Sequence, residues 1–240
     1  MTEQPADRLR FPPPDHHRNV AGGALRAAVF GVMDGLLSNG GIIAGLAGGG
    51  LPGRTVLLGG VATLIAGSFS MSAGEYTSVR SQQEATLAEV AMEEAELARH
   101  PRREQAELAQ VYRDRGVSSD LADAIAAELM AAPDRALRAH TQEELGIDID
   151  RLPSPWVAAS VSMVAFALGA FVPLFPYVIG VDHLWLALAL GAIGLIAAGA
   201  LSSRFTTRTP AYAAFRLAAI GASIAAITWG IGQGIGTGAG

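Results

Sequence analysis

The sequence predicts an all-α membrane protein with five transmembrane helices and a helical domain inserted between spans 2 and 3. Three observations lead to this fold class. Half of the 240 residues are hydrophobic, these residues are grouped in long blocks, and sixteen of the twenty-two acidic residues fall within residues 80–151. A soluble domain of this size rarely groups its apolar residues in this way.

Five apolar stretches are long enough to cross a membrane, since a helix needs about 20 apolar residues to span the hydrocarbon core. They are residues 24–49, 55–79, 156–179, 184–203 and 212–234. The chain is therefore divided into a cytoplasmic tail (1–23), spans 1 and 2 (24–79), the insert (80–151) and spans 3 to 5 (152–240). The polar tail has no apolar region followed by a cleavage site, so we expect the first span to act as an uncleaved signal.

The distribution of arginine predicts the orientation of the chain in the bilayer. All seventeen basic residues are arginine, nine of them lie in the insert, and the segments on either side of the spans alternate between arginine-rich and arginine-poor. Because cytoplasmic loops carry the excess of basic residues, we expect the N-terminus and the insert in the cytoplasm and the C-terminus outside. A short chain of this kind suits a bacterial inner membrane.

The composition excludes several classes of function. The chain has no cysteine, which excludes disulfides, iron–sulfur clusters and thiol nucleophiles. The net charge of −5 argues against nucleic acid as a partner. The spans hold no Ser–His pairing and no paired aspartates, and the chain has no HExxH motif. We therefore expect a protein that is not an enzyme and that has no fixed cofactor.

The insert has apolar residues at helical spacing, interrupted by proline and glycine. Its helices are predicted at residues 75–99 (continuous with the second span), 102–115, 119–131 and 134–145. Ser118 or Ser119 is expected to cap the third of these helices. Because the insert is small, we expect it to need a metal ion, a second copy of the chain, or both, to be well ordered.

A carboxylate lies in the middle of the first span. Asp34 at this depth costs about 2.5–3.5 kcal/mol on insertion scales, so it is expected to face protein or water. We favour an ion or proton site in a translocation path, and the alternative is a structural aspartate between packed helices. The nearby pairs Gly31/Gly35 and Gly45/Gly49 indicate close helix packing, either within one chain or across a dimer axis.

Three further residues of the first two spans are candidates for a translocation pore. Asn39 follows Asp34 on the first span, and Met71 and Glu75 lie near the cytoplasmic end of the second span. A methionine in a membrane helix most often serves packing, and Glu75 is also explained as a solvated residue near the interface.

The insert carries potential metal ligands at the spacing of helix turns. Glu93 with Glu96 and Glu104 with Glu107 are three residues apart, and His140 with Glu144 are four apart. Each pair therefore lies on one face of its helix and can share a cation. Oxygen ligands with at most one imidazole suit divalent iron, manganese, magnesium or calcium better than copper(I). Solvated helices rich in Glu and Arg show the same spacing, so this pattern alone leaves both interpretations open.

Four segments of the chain resemble the vacuolar iron transporter family. They are DGLLSNGGIIAGLAG from Asp34, AGSFSMSAGEYTSVRSQQE from Ala66, EELGID from Glu143 and FALGAFVPLFPY from Phe166. The resemblance covers about residues 15–235, essentially the whole chain, and the combination is more specific than any one segment.

The resemblance implies a five-span homodimer whose first and second spans line a pore on the twofold axis. It implies export of Fe²⁺, and often Mn²⁺, from the cytoplasm in exchange for protons, with Asp34 and Met71 in the pore. The metal-collecting residues that it implies in the cytoplasmic domain are Glu93, Glu96, Glu104, Glu107 and Glu144. An alternative function is a membrane-tethered sensor or buffer of divalent metal that transports nothing.

The sequence departs from the plant members of the family at two places. A glutamate of their second span corresponds to Thr63 here. A pair of methionines ahead of the last glutamate of the plant proteins corresponds to His140 and Thr141. We expect His140 to act as a metal ligand in place of a methionine.

Overall fold

The computed structural model describes residues 23–205 and 208–238, and the described part of the chain consists of helices and the turns between them. The eight α-helices are α1 (Gly23–Gly48), α2 (Gly53–Arg99), α3 (Pro101–Asp114), α4 (Ser119–Met130), α5 (Pro133–Glu143), α6 (Pro155–Val178), α7 (Leu184–Ser202) and α8 (Pro210–Gly238). Five of them, α1, α2, α6, α7 and α8, are long and apolar enough to cross a membrane. This confirms the predicted all-α class and the five spans. The predicted tail, apart from Gly23, lies outside the described residues.

Helix α2 joins the membrane half of the protein, which comprises α1, the apolar part of α2 and α6 to α8, to the insert. It has 47 residues, which at 1.5 Å per residue gives a length of about 70 Å. Its first half is apolar and its second half is charged, with no glycine or proline after Gly74. The prediction that the first helix of the insert continues the second span is therefore confirmed.

Helix α6 packs against α1, α2 and α7 in the membrane half. Its contact with α1 is made backbone to backbone: a Cβ atom added at Gly35 would lie 2.6 Å from the amide nitrogen of Ala170. Gly31 meets α6 in the same way, and Gly45 and Gly49 lie against α8. Both glycine pairs of the first span are thus used for helix contacts within one chain.

The two prolines of the third span lie inside α6, which continues to Val178. Proline lacks an amide hydrogen and weakens the hydrogen bonding of the preceding turn. Asn39 of α1 donates its side-chain amide to the carbonyl of Ala170, three residues before Pro173, at 2.7 Å. The neighbouring helix therefore supplies a donor to the turn that precedes the proline, as is common in membrane helices.

The insert is a small bundle in which α3, α4 and α5 contact one another and α5 contacts the charged half of α2. Leu108, Ala109 and Ala126 pack together in its buried apolar core. Ser118 occupies the predicted capping position of α4, but its side chain makes no capping hydrogen bond. The bounds of α3 to α5 agree with the prediction to within two residues.

Candidate metal site

Four of the six predicted metal ligands meet where α2, α3 and α5 come together. The Nδ1 atom of His140 lies 3.2 Å from Oε1 of Glu93, 3.2 Å from Oε1 of Glu144 and 4.0 Å from Oε2 of Glu104. One ligand atom from each of Glu93, Glu104 and His140 can be chosen so that all three lie within 4.8 Å of one another. We call Glu93, Glu104, His140 and Glu144 the cluster. Its spacing is compatible with a single bound cation.

The local sequence explains how the cluster forms. Helix α2 ends at Arg99 and Pro101 begins α3, so the chain turns sharply and the first turn of α3 returns towards α2. Glu104 is in that first turn. His140 is in the last turn of α5, and Glu144 follows one turn later.

The cluster is largely shielded from solvent. His140 is fully buried, Glu104 is 1% exposed and Glu93 is 11% exposed, whereas Glu144 is 28% exposed. Among the described residues, Oε1 of Glu93, Oε1 of Glu104 and Nε2 of His140 find no hydrogen-bond partner. Buried polar atoms are normally paired, and leaving one unpaired costs about 1–3 kcal/mol. The orphaned carboxylate oxygens are the kind of ligand that a divalent cation would satisfy.

Burial raises the pKa of both Glu93 and Glu104. Desolvation is the largest cause for each, and the neighbouring carboxylates raise both pKa values further, while His140 opposes the rise. The two side chains are thus held where a negative charge is unfavourable without a partner. Either protons or a cation must supply the compensating charge.

The remaining two predicted ligands, Glu96 and Glu107, lie at the edge of the cluster. Glu107 accepts a hydrogen bond from Nε of Arg103 at 2.9 Å, and Glu96 is exposed. Both are close enough to raise the pKa of Glu104 and Glu93. Their part in metal binding stays a prediction.

In the membrane half, Asp34 and Met71 are only partly buried within one chain. The hydroxyl of Ser38, one turn further along α1, donates to Oδ1 of Asp34 at 3.1 Å. The hydroxyl of Thr63 on α2 donates to the carbonyl of Gly59 at 2.9 Å. The pore roles of Asp34 and Met71 stay predictions.

The two other predicted pore residues have partners that favour structural roles. Arg26 donates to Oε2 of Glu75 at 3.0 Å, which ties the start of α1 to α2. Glu75 is 14% exposed and Arg26 is 50% exposed. Asn39 is fully buried and is bonded to α6. A role for Glu75 or Asn39 in a pore stays a prediction.

Sequence reasoning missed two partners of the predicted residues. Ser38 is four residues from Asp34, so the helical repeat of the first span could have identified it. Arg26 is 49 residues from Glu75. No local pattern connects them, because their contact depends on how α1 packs against α2.

The fold and the cluster together define a class of protein: a helical membrane protein with five spans that carries a buried carboxylate–imidazole cluster outside the apolar spans. Comparison with known proteins narrows this class. The sequence profile of the VIT family matches residues 25–233, and the chain belongs to that family. The resemblance inferred from the four segments is therefore confirmed.

Curated relatives match along most of their length. A vacuolar iron transporter of Acanthamoeba castellanii is 35% identical over 226 residues, which is 91% of this chain and 82% of the relative. Vacuolar iron transporter 2 of Oryza sativa subsp. japonica is 30% identical, covering 90% of this chain and 89% of the relative. Vacuolar iron transporter 1 of Arabidopsis thaliana is 29% identical, covering 87% and 86%.

Proposed function

We propose that this protein exports Fe²⁺, with Mn²⁺ as a second substrate, from the cytoplasm in exchange for protons. The observation that carries the proposal is the buried cluster of Glu93, Glu104, His140 and Glu144, in a chain whose curated relatives are named iron transporters. The arginine distribution supports a cytoplasmic insert, with the N-terminus inside and the C-terminus outside. A bacterial inner membrane is the location that we propose.

In this mechanism the insert collects metal near the cytoplasmic mouth of the pore. Glu93, Glu104, Glu144 and His140 would hold the ion, and Glu96 and Glu107 would attract it electrostatically from the edge of the cluster. Clefts lined by one sign of charge raise the local concentration of counter-ions. The metal is the substrate of transport, so the cluster must release it as well as bind it.

The ion would then pass Met71 and Asp34 within the membrane. Asp34 is partly exposed in one chain. A charge at that depth is costly unless it faces protein or water. This exposure supports a homodimer, in which a second copy of the chain covers the face that carries Asp34 and the pore lies between the two copies. Protonation of Asp34 would carry protons in the opposite direction.

The pore assignment is tested by reconstituting the full chain in proteoliposomes with a pH gradient. We expect uptake of Fe²⁺ that depends on the gradient, and we expect Asp34→Asn to abolish it because the neutral amide cannot bind the metal and the proton alternately. Asp182→Asn, in the turn between α6 and α7, is the matched control and should transport. Full transport by Asp34→Asn would contradict the pore assignment.

The metal-collecting role is tested by replacing the five glutamates Glu93, Glu96, Glu104, Glu107 and Glu144 with alanine. We expect the calorimetric affinity for divalent metal to fall by at least about tenfold, since the altered residues are the proposed ligands themselves. Helix content measured by circular dichroism should change little. An unchanged affinity would remove the insert from the mechanism.

The second candidate function, a tethered metal sensor or buffer, is favoured by the cluster alone, because binding in the insert needs no pore. It predicts that the wild-type chain binds metal but moves none across the proteoliposome membrane. Transport that is lost in Asp34→Asn and kept in Asp182→Asn would exclude it.

A further inference from the structure

The cluster contains one nitrogen donor, His140, in a central position. Its Nδ1 atom is equally distant, at 3.2 Å, from carboxylate oxygens of Glu93 and Glu144, which belong to different segments of the chain. A single ring nitrogen carries either one hydrogen or one lone pair. Nδ1 is within hydrogen-bonding distance of Oε1 of Glu144, whereas Oε1 of Glu93 is among the atoms that find no hydrogen-bond partner.

A cation between the ring and the carboxylates resolves this arrangement. The Nδ1 lone pair and the oxygens of Glu93, Glu144 and Glu104 would all point to the same ion. Nitrogen would then be one ligand of a site that is otherwise made of oxygen. Without an ion, Oε1 of Glu93 and Oε1 of Glu104 stay without a hydrogen-bond partner, although Nδ1 has one in Glu144.

The imidazole is fixed in place by its surroundings. His140 is fully buried, and the next residue, Thr141, is also fully buried, with its hydroxyl donating to the carbonyl of Leu137 at 2.9 Å. Ala136, one turn earlier on α5, is buried as well. The ring therefore has no solvent into which it can swing, and an ion that enters the cluster meets its nitrogen.

We propose that His140 sets the metal preference of the insert, so that the site favours Fe²⁺ and the later first-row divalent ions over Mn²⁺, Mg²⁺ and Ca²⁺. Imidazole suits iron, nickel, copper and zinc, whereas the harder ions favour sites made of oxygen alone. Affinity at such a site also rises from Mn²⁺ through Fe²⁺ to Co²⁺. This inference rests on the metal-collecting role proposed above and ranks the two substrates named there.

The test measures binding of Co²⁺ and Mn²⁺ to the full-length protein in detergent, with Co²⁺ as an air-stable substitute for Fe²⁺. We expect wild type to prefer Co²⁺, and we expect His140→Gln to reduce the ratio of the two affinities by about tenfold, mainly by weakening Co²⁺. His100→Gln is the matched control, because His100 is exposed at the junction of α2 and α3. An unchanged ratio in His140→Gln would overturn the inference.

A second measurement uses the wild-type chain and so does not depend on the folding of a variant at a buried position. Pulsed electron paramagnetic resonance of bound Mn²⁺ detects a directly ligated imidazole nitrogen. We expect that coupling in wild type and in His100→Gln, and its absence in wild type would also overturn the inference. Transport by proteoliposomes is measured independently of metal preference. A negative result for His140 would therefore leave the proposal of metal export untouched.

Discussion

The membrane half and the insert are held together by different means. In the membrane half, small residues let helices touch along their backbones, as Gly35 of α1 does against Ala170 of α6. In the insert, Leu108 and a few alanines form the buried apolar core, and the adjacent buried space is filled by Glu104 and His140. The first region is specified by shape and the second largely by charge.

This difference predicts different dependence on bound metal. Backbone contacts between membrane helices need no ligand, so the stability of the membrane half should depend on bound metal much less than that of the insert. The insert contains carboxylates with unpaired oxygens, and each such atom reduces its stability until a proton or a cation arrives. Folding of the insert and occupation of the cluster are therefore expected to be coupled.

The largest expected effect is the loss of packing between α1 and α6 in the membrane half. In Gly35→Leu, the first added carbon would lie 2.6 Å from the backbone nitrogen of Ala170, which cannot move without displacing α6. We expect a destabilisation of about 3 kcal/mol or more, seen as loss of the monodisperse peak in gel filtration. Gly40→Leu is the control, because a Cβ at Gly40 has no atom within 4 Å. Equal yields of the two variants would show that α1 and α6 do not pack as described.

The effect expected to be intermediate in size tests whether the stability of the insert depends on the charge of its buried carboxylates. Glu93 and Glu104 have pKa values raised above the ordinary 4.5, so the folded insert binds protons more tightly than the unfolded chain. Stability from this source is present below the unfolded pKa and is lost as the pH rises through the folded pKa. In the metal-free full-length protein, the insert should therefore open more readily at about pH 7.5 than at about pH 5. Hydrogen exchange, corrected for intrinsic rates, measures this opening.

The variant Glu104→Gln is the control for that experiment. It keeps the shape of the side chain and removes one of the two titrating groups, so the pH dependence of opening should become smaller. Added divalent metal should protect the wild-type insert at neutral pH and protect the variant less. A pH dependence as large in Glu104→Gln as in wild type would contradict the cause given for it.

The smallest expected effect concerns the ion pair that joins α1 and α2. Arg26 is half exposed, and such pairs contribute at most about 1 kcal/mol. Arg26→Gln should therefore lower the thermal stability of the purified protein only slightly. A loss as large as that of Gly35→Leu would mean that charge also specifies the membrane half, and the contrast between the two regions would fail.

The sequence predicts the helices well and the cluster only in part, for a physical reason. Helical repeats and apolar length are local properties, and they locate the spans and the helices of the insert to within a few residues. The spacing of Glu93 with Glu96, or of Glu104 with Glu107, places two carboxylates on one face of a helix. It does not say which member faces the neighbouring helix, because that depends on the direction of the turn at Pro101.

The burial of a side chain also depends on how the helices pack, which the local sequence does not determine. His140 is polar, lies on a helix rich in charged residues and is fully buried, since α2 and α3 close over it. The pairing of Arg26 with Glu75 likewise depends on two helices that are close in space and far apart in sequence. Resemblance to a family indicates candidate ligands such as Glu93 and Glu104, but the contacts that define their chemistry appear only in the fold.

The second half of α2, which has no glycine or proline, also restricts which insertions into this helix the protein can accommodate. Between Glu75 and Glu93 each residue adds about 1.5 Å of height and about 100° of rotation, since α2 has no glycine or proline there to absorb a change. A single inserted residue would turn the cluster to another side of the protein, whereas seven residues would raise it by about 10 Å and nearly restore its direction. Natural or engineered variants of this stretch should therefore reject single inserted residues, and they should tolerate a heptad only where residues 144–154, which lead back to α6, can span the added height.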